Sequence, residues 1–321
     1  MRFKSAREIL SPESRLDISW IAKPWFARSA ITELVGKAKV AGKTTWALAL
    51  CAAILDGKEF MGQPTNKTGI VYLTEQSEVT FRVSLERARI GPRDDFHGLF
   101  WHETLGKDWP AVIDDAIELA IQQDAGLLVV DTLAQFAKLT GDRENNSGDA
   151  LEAMLPLQKA RDRALGVLQI RHERKEGGQL GDSGRGSSAF AGAVDIILNL
   201  GRPRGNHGDT IRCINAVSRL DEAPSRLTIE LGADGYRSLG TTERPSADAV
   251  STLVLSSLPV GQGDAISLDQ ITNITSQPRA TVQRVLTELK EIGKLTELGG
   301  GVKGNPYRYH LPADSAQNPG P

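Results

Sequence analysis

Ten residues, Gly36-Lys37-Ala38-Lys39-Val40-Ala41-Gly42-Lys43-Thr44-Thr45, lie between an apolar run at 31–35 and an Ala- and Leu-rich stretch at 46–55. The first flank reads as a short buried strand and the second as a helix. A glycine-bearing connection from strand to helix lets backbone N–H groups converge at the positive end of the helix macrodipole, where an anion is favoured. In that setting Lys43 reaches the β and γ oxygens of a triphosphate and the Thr44 hydroxyl ligates Mg2+. Gly36, Lys39, Ala41, Gly42 and Thr45 complete the loop. The stretch is therefore a candidate nucleotide site, with ATP and Mg2+ as the expected ligands. It departs from the pattern G-x-x-x-x-G-K-[ST] in one respect. Lys37 stands where the first glycine belongs and Gly36 comes one residue early, so the loop is expected to be longer by one.

Downstream, strand and helix patterns alternate. A β-branched run at 69–74 ends at Glu75, Ser77 caps a helix to about 90, and 99–102 reads as a short strand. Helical periodicity at 110–123 precedes an apolar strand at 126–131 closed by Asp131, then a helix at 146–165 and a strand at 167–170. This alternation predicts an α/β fold with a mostly parallel sheet. From 194 onward only strands are read, at 194–200, 210–217, 226–231 and 236–239, which would extend the sheet in antiparallel fashion. Residues 241–247 read as a linker. Three short helices at 249–258, 268–274 and 278–292, a strand at 295–298, a glycine turn at 299–301 and a strand at 307–311 then predict a winged helix-turn-helix. The expected organisation is a lead-in at 1–30, anchored by Trp20, Ile21, Pro24, Trp25 and Phe26, an ATPase domain at 31–240, the linker, a winged-helix domain at 248–312 and a disordered tail at 313–321.

Charge and cysteine usage narrow the function. Lys and Arg number 38 against 40 Asp and Glu, a net charge of -2, so any nucleic-acid contact must be local. Cys51 and Cys213, far apart and in apolar contexts, predict neither a disulfide framework nor a zinc site. No signal-peptide pattern and no apolar run of membrane length is present, so a cytoplasmic protein without membrane contact is expected.

Several further residues carry candidate chemistry. Asp131 ends a buried strand, where it either supports Mg2+ beside Thr44 or simply caps the next helix. Glu75 stands where a carboxylate can polarise an attacking water, though a glutamate at a strand end is also commonly just solvated. His172 leaves the same sheet edge and is followed by a basic, glycine-rich segment containing Arg174, Lys175 and Arg185, suited to phosphate sensing or to a nucleic-acid backbone. The loop at 138–149 is a second candidate contact. Arg219 is an arginine finger toward a neighbouring subunit if the chain forms a ring, or a surface arginine paired with Asp221 or Glu222.

With these motifs in order, the sequence resembles the RecA-like ATPases of the plasmid RepA and DnaB helicase group, in the AAA-family branch common in phages and mobile elements. The matches are residues 36–45, V-Y-L-T-E-Q around Glu75, L-L-V-V-D-T-L around Asp131, Glu144-Asn145-Asn146, H-E-R-K from His172, R-G-S-S-A-F-A-G-A-V-D from Arg185 and S-R-L-D-E-A-P around Arg219. The similarity spans about residues 20–235. It implies Mg-ATP on Lys43 and Thr44, water activation by Glu75, metal support by Asp131, γ-phosphate sensing by His172 and a trans-acting Arg219. It also implies a homo-oligomeric ring acting on single-stranded DNA.

The carboxy-terminal segment resembles bacterial winged helices. Val282, Val285, Leu286, Leu289 and Ile292 are expected to face its core, leaving Arg279, Gln283, Arg284, Thr287 and Lys290 on an open face. Arg279, Gln283 and Arg284 would read duplex DNA, with Lys303 and Arg308 near phosphates, although winged helices also bind proteins. The resulting expectation is a DNA-acting ATPase, a helicase or loader. The alternative is a nucleotide-controlled DNA-binding regulator or scaffold that unwinds nothing.

Overall fold

The computed structural model describes residues 3–9, 18–173, 187–203, 208–220, 226–233, 235–241, 247–275, 277–302 and 305–312. It divides into two compact units, Met1–Thr242 and Glu243–Pro321.

The first unit opens with a short helix, α1 (Ala6–Ile9), and a small antiparallel pair, β1 (Trp20–Ala22) and β2 (Phe26–Ala27). Ile21, Trp25 and Phe26 are fully buried, so the lead-in is part of the core rather than an appendage. There follow β3 (Ile31–Gly36), α2 (Lys43–Asp56), β4 (Gly69–Thr74), α3 (Glu78–Arg87), β5 (Phe96–Phe100), α4 (Trp109–Gln122) and β6 (Ala125–Asp131). After them come α5 (Leu133–Phe136), α6 (Ser147–Asp162), β7 (Gly166–His172), α7 (Ala189–Gly192), β8 (Ile196–Gly201), β9 (Ile211–Ser218), β10 (Arg226–Gly232) and β11 (Gly235–Thr241). The nine strands form one sheet in the order β11-β10-β9-β8-β3-β7-β6-β4-β5. From β5 to β8 every pairing is parallel, and from β8 to β11 every pairing is antiparallel. The expected α/β class with an antiparallel extension is what the chain adopts.

Local chemistry explains the element ends. Ser77 accepts from the Thr80 N–H at the start of α3, and Asp108 does the same for Ala111 at α4. Gly57, at φ 62°, closes α2 in the left-handed conformation. Two apolar layers cover the sheet. One packs Trp46, Leu50 and Ile54 of α2 and Phe81 of α3 against alternate strand residues such as Leu34, Tyr72 and Val129. The other packs α4 and α6 against the opposite set, including Val71, Leu128 and Val130. One expected strand is displaced: 99–102 is not a strand throughout, because β5 begins three residues earlier and Trp101–Thr104 is a 3-10 turn. The loop at 138–149 is also more ordered than a free contact loop. It contains a 3-10 turn at Gly141–Asn145, Lys138 donates to the Lys107 carbonyl and Arg143 pairs with Asp149.

The second unit contains α8 (Ala247–Ser257), β12 (Ile266–Ser267), α9 (Leu268–Thr275), α10 (Arg279–Glu291), β13 (Thr296–Leu298) and β14 (Arg308–His310). The strands form an antiparallel sheet in the order β12-β14-β13, and β12 was not legible in the sequence. Val282, Val285, Leu286 and Leu289 are buried as expected. Ile292 is not: α10 ends at Glu291, so Ile292 leaves the apolar stripe and is 64% exposed.

Candidate nucleotide site

The site is built at the carboxyl ends of adjacent parallel strands, the place where open α/β sheets bind ligands. Gly36 is the last residue of β3, and the loop 37–42 joins it to α2. The loop is closed by a bond from the Ala41 N–H to the Lys37 carbonyl, 3.2 Å, with Lys39 at φ 58° and Gly42 at φ 82°. The backbone at Gly36 leaves no room for a side chain. A Cβ there would lie 2.5 Å from the Leu200 carbonyl oxygen and 2.8 Å from the Ala41 Cβ. Gly36→Ala is accordingly expected to displace the loop, costing about 1–3 kcal/mol of stability and weakening nucleotide binding. Thermal melting and titration with a fluorescent ATP analogue would check both.

Lys43 begins α2 and is buried. Its ammonium donates to the Gly36 carbonyl at 2.8 Å and the Lys37 carbonyl at 3.3 Å, and lies 3.3 Å from Nδ1 of His172. Burial lowers its pKa, opposed by the charges of Asp131, Glu75 and Glu173. The Thr44 hydroxyl donates to Asp131 Oδ2 at 2.8 Å, and the Tyr72 hydroxyl donates to the same oxygen at 2.9 Å. Asp131 does not cap α5; that position is Thr132. Burial pushes the Asp131 carboxyl up to about 6, with the Thr44 and Tyr72 hydrogen bonds pulling it down, Glu75 pushing it up and Lys43 pulling it down. Glu75 follows β4. Its backbone N–H donates to the Asp131 carbonyl at 2.8 Å, and its Oε2 accepts from the Thr132 hydroxyl at 2.7 Å.

The register of the sheet brings His172 here. Gly36 pairs with His172 across β3 and β7, and the Glu173 N–H donates to the Gly36 carbonyl at 3.1 Å. Lys43, Thr44, Glu75, Asp131 and His172 are thus gathered in one place. Arg219, just past β9, is not among them. Its side chain is 62% exposed, donates to the Gly192 carbonyl at 2.9 Å and lies 3.6 Å from Asp195, while Asp221 and Glu222 lie outside the described residues. Arg174, Lys175, Arg185 and Lys303 also lie outside them. On α10, Arg279 pairs with Asp269, Arg284 with Glu288 at 3.7 Å and Lys290 with Glu297 at 2.7 Å; Gln283 is exposed.

Three residues were missed by sequence reasoning. Tyr72 carried a signal, because a tyrosine inside a fully apolar parallel strand needs a partner for its hydroxyl. Arg212 and Tyr236 carried none. Arg212 Nε, on β9, donates to the Ala41 carbonyl at 3.1 Å, and the Tyr236 hydroxyl lies 3.5 Å from where a Cβ on Gly42 would stand. Through them the antiparallel extension flanks the loop.

The residues fit a Mg2+–nucleotide. A lysine ammonium at the amino end of a 14-residue helix suits phosphate oxygens, and a cation beside Asp131 would offset the burial that raises its pKa. Among the described residues no cluster of three His, Cys, Asp or Glu is placed to hold a metal by itself. Mg2+ that shares its ligands with phosphates requires none.

Fold and site together define an α/β domain of the P-loop type, with its candidate nucleotide site at the carboxyl ends of the parallel strands. The AAA domain model of the family AAA_25 matches residues 2–178, and the chain belongs to that family. No curated protein matches the chain. Similar solved structures include a KaiC-like protein from the hyperthermophilic archaeon Pyrococcus horikoshii OT3, 12% identical with a TM-score of 0.49, over 68% of this chain and 94% of that one. They also include the RadB recombinase, 14% identical with a TM-score of 0.48, over 67% and 93%. Among the described residues no helix is long and apolar enough to cross a membrane.

Proposed function

We propose that the chain is an ATP-hydrolysing, ring-forming motor acting on DNA, a helicase or loader of a plasmid, phage or integrated element. What supports this most is the gathering of Lys43, Thr44, Glu75, Asp131 and His172 at the ends of the adjacent strands β3, β7, β6 and β4. Lys43 would hold the phosphate oxygens of the nucleotide, and Thr44 and Asp131 would hold Mg2+, which when bound would supply charge neutralisation on the transferring phosphoryl group. Glu75, oriented by Thr132, takes the proton of the attacking water. His172, next to Lys43, senses the γ-phosphate and begins the segment whose Arg174, Lys175 and Arg185 contact single-stranded DNA. The exposed Arg219 completes the neighbouring subunit's site.

The second unit is read as a winged helix, in which Arg279, Gln283 and Arg284 of α10 enter the major groove of duplex DNA and Lys303 and Arg308 meet phosphates. One observation favours the scaffold instead. Residues 243–321 carry seven basic against eight acidic side chains, and Arg279, Arg284 and Lys290 each face a carboxylate. Phosphate contact would have to break those pairs.

Steady-state ATP hydrolysis with and without single-stranded DNA, with Lys43→Ala as the blank, separates these roles. Strong stimulation is expected for the motor, followed by separation of a forked duplex. Hydrolysis indifferent to DNA would overturn the motor and leave the regulator or scaffold.

A further inference from the structure

Tyr72 lies in the middle of β4, on the face that carries α2, and its side chain is fully buried. Its ring is packed against Phe81 at 5.2 Å and Phe96 at 5.9 Å between centroids. Those contacts are apolar, and a phenylalanine would make them equally well. The hydroxyl is what phenylalanine lacks, and it donates to Asp131 Oδ2 at 2.9 Å. The sheet makes this contact possible. Thr74 is the residue that pairs with Asp131, so Tyr72, two residues back on the same face, needs the full length of a phenol to reach that carboxylate.

Two hydroxyls therefore converge on one oxygen of a buried carboxylate, Tyr72 from the sheet and Thr44 from the start of α2. Two donors at different angles fix both the position and the rotation of that group. The donors differ in their freedom: Thr44 belongs to the phosphate loop and helix start, whereas Tyr72 is enclosed in the core. Groups behind a metal-supporting carboxylate commonly set metal affinity by this kind of orientation.

We propose that Tyr72 is a positioning residue for the metal half of the nucleotide site. Its hydroxyl holds Asp131 in the orientation that makes the site prefer Mg2+–nucleotide over nucleotide alone. This rests on the nucleotide-site assignment of Lys43, Thr44 and Asp131.

The test compares wild type, Tyr72→Phe and Lys43→Ala by titration with a fluorescent ATP analogue, once with Mg2+ and once with EDTA. Tyr72→Phe is expected to bind the analogue in EDTA as wild type does, and to lose about tenfold or more of the affinity gained on adding Mg2+. The Mg2+ concentration for half-maximal ATP hydrolysis should rise, and saturating Mg2+ should restore the rate. A merely structural tyrosine predicts something else: a lowered melting temperature with the Mg2+ gain unchanged, or a rate that no concentration of Mg2+ restores. Either result overturns the proposal. If wild type and Lys43→Ala both fail to bind the analogue, the nucleotide-site assignment falls and takes the proposal with it. Tyr72→Phe failing alone, beside a normal Lys43→Ala contrast, overturns only the role of Tyr72.

Discussion

Glu75→Gln is expected to bind ATP as wild type does and to hydrolyse it about 10²–10⁴-fold more slowly, the range that loss of a general base produces. The structure makes this substitution a clean one. The amide oxygen of glutamine can still accept the Thr132 hydroxyl that Glu75 Oε2 accepts at 2.7 Å, and the backbone bond from residue 75 to the Asp131 carbonyl does not involve the side chain. The Glu75 side chain bonds to Thr132, whereas Lys43 bonds to the Gly36 and Lys37 carbonyls and Thr44 to Asp131, so those contacts of the phosphate loop do not run through it. The chemistry removed is the capacity to take a proton, together with a negative charge that acts on Lys43 and Asp131. Single-turnover hydrolysis beside an equilibrium binding titration measures both quantities. A Glu75→Gln variant that turns over like wild type would show that Glu75 is not the base.

Arg171→Leu is expected to produce the largest loss of stability. Arg171 and Glu33 form an ion pair of 2.7 Å with side chains only 3% and 2% exposed, and the guanidinium lies 3.6 Å from the centroid of the Phe190 ring. The Gln169 amide donates to the same carboxylate oxygen at 3.2 Å. Removing the arginine strands a buried carboxylate, which costs about 3–5 kcal/mol. In a domain of this size that corresponds to a fall in melting temperature of roughly 10 °C. The double variant Glu33→Leu/Arg171→Leu should recover much of the loss, because no uncompensated charge remains. Circular dichroism melts of the three proteins decide it. A single variant that melts with wild type would mean that the pair contributes nothing to folding.

These two predictions differ in how visible their residues were beforehand. Glu75 and Asp131 could be found because each closes an apolar run in a chain that already shows a phosphate loop, and strand ends of a parallel sheet are where such chemistry collects. Lys43 and Thr44 follow from a local motif, and the one-residue displacement of Gly36 was readable too. What forbids a side chain at Gly36 was not, since the Leu200 carbonyl that excludes one lies on β8. Glu33 and Arg171 are 138 residues apart, and although 31–35 reads as a buried strand, nothing local names the partner of the Glu33 carboxylate. Arg212 reaches Ala41 across 171 residues. Such partnerships are products of strand order, which hydrophobic periodicity does not encode. Ile292 shows the opposite limit. Its spacing suits the apolar stripe of α10, but the helix stops at Glu291 and the spacing no longer applies.

The pairing of β3 with β7 has a consequence for faithful assembly. Val35 lies opposite Arg171 and Gly36 opposite His172, and adjacent residues of a strand point to opposite faces. A frame error of one residue would present arginine to the phosphate loop and push histidine into the apolar layer below. Such an error would not weaken the site by degrees; it would delete it. Arg171 can be accommodated inside only where Glu33 awaits it, so this pair acts as a key that turns in a single frame. An ion pair on the face of the sheet turned away from the phosphate loop thereby proofreads the alignment on which the chemistry depends.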